Sequence, residues 1–75
     1  MEEVLKILGE LHPDVDFRTE KNLVEGEILN SFDIISIVGE LNNSFGIEIN
    51  AEDLLPANFN SAEAIYGLVC RLLDE

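Results

Sequence analysis

Apolar residues recur at helical spacing in three separate segments of the chain, and this repeat constrains the fold more than any other feature. Each set falls on one face of a helix with about 3.6 residues per turn. The segment Ile47-Glu48-Ile49 alternates and is too short for a helix, so it is interpreted as an extended linker. The three sets are Val4, Ile7, Leu8 and Leu11, then Ile34, Ile37, Val38, Leu41 and Phe45, then Ala62, Ile65, Tyr66, Val69, Leu72 and Leu73.

Breaking and capping residues mark the ends of the first two predicted helices. The first stops at His12-Pro13, because a proline disfavours helical backbone at the residue before it. The second opens at Asn30, runs to about Phe45 and ends at Gly46, which readily takes the left-handed conformation of a helix end.

Two further helices are predicted in the last third of the chain. One or two helical turns are expected from Asn50 to Leu55, closed by Pro56, and a last helix from about Ser61 to Leu73. Three starts share a capping amide followed three residues later by a carboxylate. These pairs are Asn30 with Asp33, Asn50 with Asp53, and Asn60 with Glu63.

A long connection from His12 to Leu29 separates the first two helices. It has no helical period, but five apolar residues are scattered along it: Phe17, Leu23, Val24, Ile28 and Leu29. Structureless loops inside compact domains seldom exceed roughly 12 to 15 residues. We therefore expect this loop to pack across the helices and to serve a function.

The length of 75 residues allows one domain, 1–75, and no second one. The predicted fold is all-α, a four-helix bundle with three main helices, one short helix and a long first loop. A domain of this size has a thin core and little room for a deep substrate pocket. We therefore expect a protein that is not an enzyme.

Charge narrows the range of partners. Sixteen acidic residues against four basic ones give a formal net charge of -12. Such a surface repels nucleic acid and anionic membranes, and it favours basic patches on other proteins. We expect no nucleic-acid partner, no membrane insertion and a monomer.

The N-terminus and the cysteine content indicate the compartment. Acidic Glu2 and Glu3 stand where a signal peptide needs positive charge, and a lone Cys70 offers neither a disulfide nor a zinc site. These features predict a cytoplasmic protein.

No catalytic or metal site is predicted. His12 has no partner within local reach, and Cys70 is a small hydrophobe on a helix flank. A calcium loop is raised by the acids Asp14, Asp16, Glu20 and Glu25. An EF-hand loop that starts at Asp14 needs glycine at its sixth position, however, and Thr19 stands there.

Ser31 is a candidate site because it follows the predicted cap Asn30. Its hydroxyl would lie at the positive end of the second helix, where a phosphate gains from the dipole and from unpaired N–H groups. From local pattern alone, the alternative is an ordinary polar residue at a helix start.

A second candidate feature lies on the same helix. Phe32, Ile35 and Gly39 project away from the core face, so two large apolar side chains are left over. They either pack under the long loop or form a docking surface, with Gly39 allowing close approach. The acids around such a surface would be Glu27, Asp33 and Glu40.

The run Asn30-Ser31-Phe32, followed by Asp33-Ile34-Ile35-Ser36-Ile37-Val38-Gly39-Glu40-Leu41 and then Phe45-Gly46-Ile47-Glu48-Ile49, resembles the acyl carrier protein family. The likeness in helix order covers essentially the whole chain. Members carry an Asp-Ser-Leu or similar motif whose serine holds a phosphopantetheine arm. Asn30 stands here in place of the aspartate. Phe32 stands in place of the leucine, and this residue resembles stand-alone carriers of the aminoacyl and D-alanyl type and some discrete polyketide carriers.

The resemblance implies a discrete carrier. Ser31 would bear 4'-phosphopantetheine from coenzyme A, and the arm would hold an acyl or aminoacyl group as a thioester. The implied partners are a phosphopantetheinyl transferase, an acyl- or aminoacyl-activating ligase and a downstream synthase or transferase. The second helix would be the recognition helix. The alternative is an unmodified acidic adaptor of the same fold.

Overall fold

Four α-helices and one 3-10 turn make up the regular structure of residues 2–74. The computed structural model describes residues 2–74, and no β-strand occurs within that range. The all-α prediction with one short helix is confirmed. The elements are α1 (Glu2–Leu11), α2 (Ser31–Phe45), the 3-10 turn (Ala51–Asp53), α3 (Pro56–Phe59) and α4 (Ala62–Leu73). None of the helices in this part of the chain has the length and apolar character needed to cross a membrane.

Helix α2 begins and ends where its sequence predicts. Asn30 is the N-cap, and its side-chain oxygen accepts the Asp33 N–H at 2.9 Å. The Asp33 carboxylate in turn accepts the Asn30 N–H at 3.2 Å, which completes a capping box. Gly46 ends the helix in the left-handed conformation, with φ of 64°.

Pro56 starts a helix instead of closing one, so the role predicted for this proline is wrong. The short element from Asn50 is only the 3-10 turn, and α3 begins at Pro56 in its first position. Proline is well suited to that position because its fixed φ is helical and its missing N–H would have no intrahelical partner.

The cap of α4 is Ser61, not Asn60 as predicted. The Ser61 hydroxyl accepts the Ala64 N–H at 3.0 Å. Asn60 directs its amide at the long loop instead, where its oxygen accepts the N–H groups of Val24 and Glu25. The Asn60-x-x-Glu63 pattern therefore predicts a helix cap that does not form, and the Asn60 side chain binds the backbone of the loop instead.

Side chains from every helix and from the loop meet in one core. The predicted inward packing of the loop is confirmed, because Phe17, Leu23 and Leu29 are all buried. The side chains with the least exposure are Val4, Leu8, Leu23, Ile37, Leu41, Phe59, Ile65, Leu68 and Val69.

The inner face of α4 is rotated relative to its predicted position. Leu68 is buried, whereas Tyr66 and Leu73, both assigned to the inner face, are exposed. The buried face of α4 therefore lies closer to Leu68, and farther from Tyr66, than the sequence predicts.

A tight turn shapes the part of the loop that leads to α2. The Gly26 N–H donates to the Asn22 carbonyl at 2.7 Å, and a Cβ on Gly26 would lie 2.6 Å from that oxygen. Glu27 follows with φ of 60°, a conformation uncommon for residues other than glycine. The turn therefore requires the absence of a side chain at Gly26.

Replacing Gly26 by Ala should lower the free energy of unfolding by about 1–3 kcal/mol, since the new methyl group forces the turn open. The matched control is Gly67→Ala in α4, where a Cβ meets no neighbour within 4 Å. That change should raise the free energy of unfolding by about 1 kcal/mol through helix propensity. Urea denaturation measures both, and equal effects would contradict the close contact at Gly26.

Candidate functional site

The candidate site is built around Ser31, the first residue of α2. Ser31 is exposed, and so is Phe32 beside it. The buried Leu29 holds the end of the loop against the core two residues earlier. The chain therefore enters the helix from an anchored position and presents the serine on the surface, not beneath the loop.

The capping box leaves backbone donors beside the serine. The first four N–H groups of a helix have no intrahelical acceptor. In α2 the box satisfies those of Asn30 and Asp33. The N–H groups of Ser31 and Phe32 remain at the open, positive end of the helix, where a negatively charged group is stabilised.

His12 ties the end of α1 to the same capping box. Its Nε2 lies 2.9 Å from Oδ2 of Asp33, and the carboxylate accepts this hydrogen bond. The expectation that His12 lacks a local partner missed this contact, because its partner is 21 positions away in the sequence. The cap of α2 is thereby fixed to another helix as well as to its own backbone.

These contacts change the acidity of Asp33. The hydrogen bond from His12 lowers the pKa of its carboxyl below the ordinary value, and the hydrogen bond from the Asn30 N–H acts in the same direction. Partial burial opposes them. Asp33 is half-buried and engaged by both groups, unlike the other acids proposed for docking. Its docking role stays a prediction.

The two leftover apolar side chains of α2 are uncovered. Phe32 is 82% exposed and Ile35 is 65% exposed, so neither packs under the loop. Leu54 and Leu55, which precede α3, are also exposed. The sequence did not single out this second pair, because both leucines fall within the helical turns predicted from Asn50 to Leu55.

A shallow apolar cavity of about 250 Å³ adjoins the serine. Its lining residues are Ser31, Ile34 and Ile35 of α2 and Leu54 of the segment before α3. The serine hydroxyl thus stands at the edge of an apolar surface that spans two elements.

The part of the sequence that contains the serine is strongly acidic. All four basic residues lie outside 22–70, and that stretch contains eight acids. Glu27 and Glu40 are exposed, as predicted for docking acids, and Gly39 is exposed with open space where a Cβ would stand. A partner surface that approaches α2 therefore meets acids around an apolar centre.

The loop acids considered as calcium ligands are turned toward their own chain. Asp16 accepts the Arg18 N–H and Glu20 accepts the Asn22 N–H. No group of three potential metal-ligating side chains occurs in residues 2–74. Cys70 is half-buried on α4.

Comparison with known proteins adds no assignment. No family model, no curated protein and no solved structure matches the chain. A function can therefore be inferred only from the residues of this chain and their geometry.

Replacing Asp33 by Asn should lower the free energy of unfolding by roughly 0.3–1 kcal/mol at neutral pH, because the first turn of α2 loses a negative charge. The pKa of Asp33 is lowered by folding, so its stabilisation is present above the ordinary carboxyl pKa of about 4 and is lost as the pH falls through the lower folded value. Urea denaturation of both proteins across this range should show their difference shrinking.

Asp53→Asn is the control. The Asp53 carboxylate also accepts a backbone N–H three residues earlier, that of Asn50 at 3.1 Å, but it has no contact with a histidine. A difference between the wild type and Asp33→Asn that persists unchanged at about pH 2 would contradict an ionic contribution from Asp33.

Proposed function

We propose that this protein is a discrete acyl carrier protein. It would hold an acyl or aminoacyl group on a 4'-phosphopantetheine arm at Ser31 and deliver it to partner enzymes. The observation that carries the proposal is the exposed Ser31 at the first position of α2, beside uncovered Phe32 and Ile35. The order of helices and the long first loop support it, through their resemblance to the acyl carrier protein family.

The residues at the start of α2 fit a phosphodiester at Ser31. The serine is accessible to a transferase, and the N–H groups of Ser31 and Phe32 lie at the positive helix end. The apolar cavity lined by Ile34, Ile35 and Leu54 gives the base of an arm a surface to contact. When attached, the arm supplies a thiol that holds the cargo as a thioester.

The chain's own contribution is position and charge. A covalent tether makes the encounter between cargo and enzyme intramolecular once the carrier has docked. The acidic surface around α2 speeds encounters with basic patches and makes them dependent on salt. An exposed apolar pair supplies contact area without the large interface of a permanent complex.

The alternative function is an unmodified acidic adaptor. It is favoured by Asn30, which stands before the serine where the carrier family has aspartate. Asn30 keeps the capping role, since its side chain accepts the Asp33 N–H. The helix start is thus complete without the negative charge that the family motif places beside the serine.

Incubation with coenzyme A and a broadly specific phosphopantetheinyl transferase should add one phosphopantetheinyl group to the chain. The group should map to Ser31, because this serine is exposed at the start of α2. Intact mass spectrometry and peptide mapping measure the product.

Ser31→Ala should abolish the mass increase, and Ser36→Ala, which changes another exposed serine of α2, should not. Folded wild-type protein that gains no mass would favour the adaptor.

Phe32→Ala and Ile35→Ala should slow transfer between the carrier and a partner enzyme by roughly tenfold, since truncation of an interface anchor costs more than about 1 kcal/mol. Both side chains are largely exposed, so the free energy of unfolding should change by less than about 0.5 kcal/mol. Leu73→Ala, at an exposed leucine on α4, is the control and should affect neither quantity. A loss of stability of about 2–5 kcal/mol would show that the two residues belong to the core.

A further inference from the structure

Asn60 makes more contacts with the long loop than its place in the short α3–α4 connection would require. Its side-chain oxygen accepts the Val24 N–H at 3.0 Å and the Glu25 N–H at 3.1 Å. Its amide nitrogen donates to Oε1 of Glu25 at 2.9 Å, and its backbone carbonyl accepts the Leu23 N–H at 2.9 Å. All four hydrogen bonds reach the same stretch, three residues long, in a distant part of the chain.

That stretch begins a closed segment, 23–29, which leads directly to the serine. The Leu29 N–H donates to the Leu23 carbonyl at 2.8 Å and closes the segment. Inside it, the Glu27 N–H donates to the Val24 carbonyl at 3.0 Å, with Glu27 in a left-handed conformation. Leu23 and Leu29, the two ends, are buried. Asn30, the cap of α2, follows immediately.

The ordinary capping role does not explain Asn60, because Ser61 caps α4. Nor does the packing of a side chain in the core, since Asn60 is half-buried. Its contacts are instead with the backbone that carries Ser31 into position.

We propose that Asn60 is a positioning residue for Ser31. By holding segment 23–29, it limits the orientations in which the start of α2 meets a modifying or partner enzyme. The inference rests on the proposed function for its consequence in modification, and it adds a residue from outside α2 and outside the serine motif. Without Asn60 only a fraction of the molecules would present Ser31 correctly, and apparent affinity falls by that fraction.

The first test is Asn60→Ala in the full chain, with Asn58→Ala as the matched control. Asn58 is the same residue type two positions earlier, but its amide contacts the Asp53 carbonyl and Arg71. Hydrogen exchange of the Leu29 and Asn30 amides, which donate to the Leu23 carbonyl and the Asp33 carboxylate, should become roughly tenfold faster in Asn60→Ala, since local opening loses several hydrogen bonds. These amides should be unchanged in Asn58→Ala. Both variants are measured at a temperature where urea denaturation shows them fully folded.

The second readout is the rate of phosphopantetheinyl transfer to Ser31. In Asn60→Ala, kcat/KM should fall by roughly fivefold, mainly through a higher KM, because the competent conformation is less populated. In Asn58→Ala both constants should match those of the wild type. If Asn60 contributed only to global stability, KM would not rise in Asn60→Ala while Asn58→Ala kept the wild-type constants, because both variants are measured fully folded.

A rescue pair tests the specific contact with Glu25. Asn60→Asp alone keeps the acceptor for the loop N–H groups but places two carboxylates together, and it should raise KM. Combined with Glu25→Gln, it exchanges donor and acceptor, so the hydrogen bond is restored and KM should return toward the wild-type value.

The outcomes separate this inference from the proposed function. If wild-type Ser31 is not modified, the carrier proposal fails, and hydrogen exchange still decides whether Asn60 positions the serine. If the wild type is modified while Asn60→Ala keeps wild-type exchange and KM, the carrier stands and the role of Asn60 is overturned. Failure of the double variant to lower the KM of Asn60→Asp would also overturn it.

Discussion

The hydrogen-bonded start of α2 is the constraint on which the site depends. Asn30 and Asp33 cap each other's backbone, and His12 joins them from the end of α1. A cap contributes about 1 kcal/mol, a sizeable share of the stability of a domain this small. Its larger effect is geometric, because it fixes the residue at which the helix begins. Ser31 is the first residue of that helix, and it is exposed between the two partners of the capping box, Asn30 and Asp33.

The loop approaches this point under restraint from the opposite direction. Its buried leucines, Leu23 and Leu29, enter the core, and Asn60 holds the backbone between them. A loop of 18 residues is thereby ordered by contacts with the α3–α4 connection and not by secondary structure of its own. In the proposed carrier, this arrangement combines a well-placed attachment residue with a mobile arm. The protein would order the hydroxyl while the cargo stayed free to move.

Local features of the sequence predicted the local features of the fold. Asn30 three residues before Asp33, with Gly46 at the far end, was enough to place α2, because both caps are made by neighbours in the sequence. Two of the errors occur where a distant partner decides. Asn60 and Ser61 are both good caps, and the choice between them depends on Val24 and Glu25, far away in the sequence. Similarly, only the folded chain shows that His12 meets Asp33.

The candidate site, too, could be predicted only in part from the sequence, because contacts between distant segments decide which of its residues are exposed. Periodicity identified Phe32 and Ile35 as apolar residues outside the core face, but it could not decide whether the loop covers them. In the folded chain both are exposed, while the loop buries its own apolar residues Phe17 and Leu23 in the core. Leu54 joins the apolar surface beside Ser31 through the position of the segment before α3, which no local pattern specifies.

The most direct test of the carrier account is the intact mass of the protein purified from its native host without a thiol reagent. The account predicts a species heavier than the chain by one phosphopantetheinyl group, alone or with an acyl or aminoacyl cargo, attached to the peptide that contains Ser31. A folded protein recovered only at the mass of the bare chain, under conditions where other carriers of that host retain their arms, would contradict it.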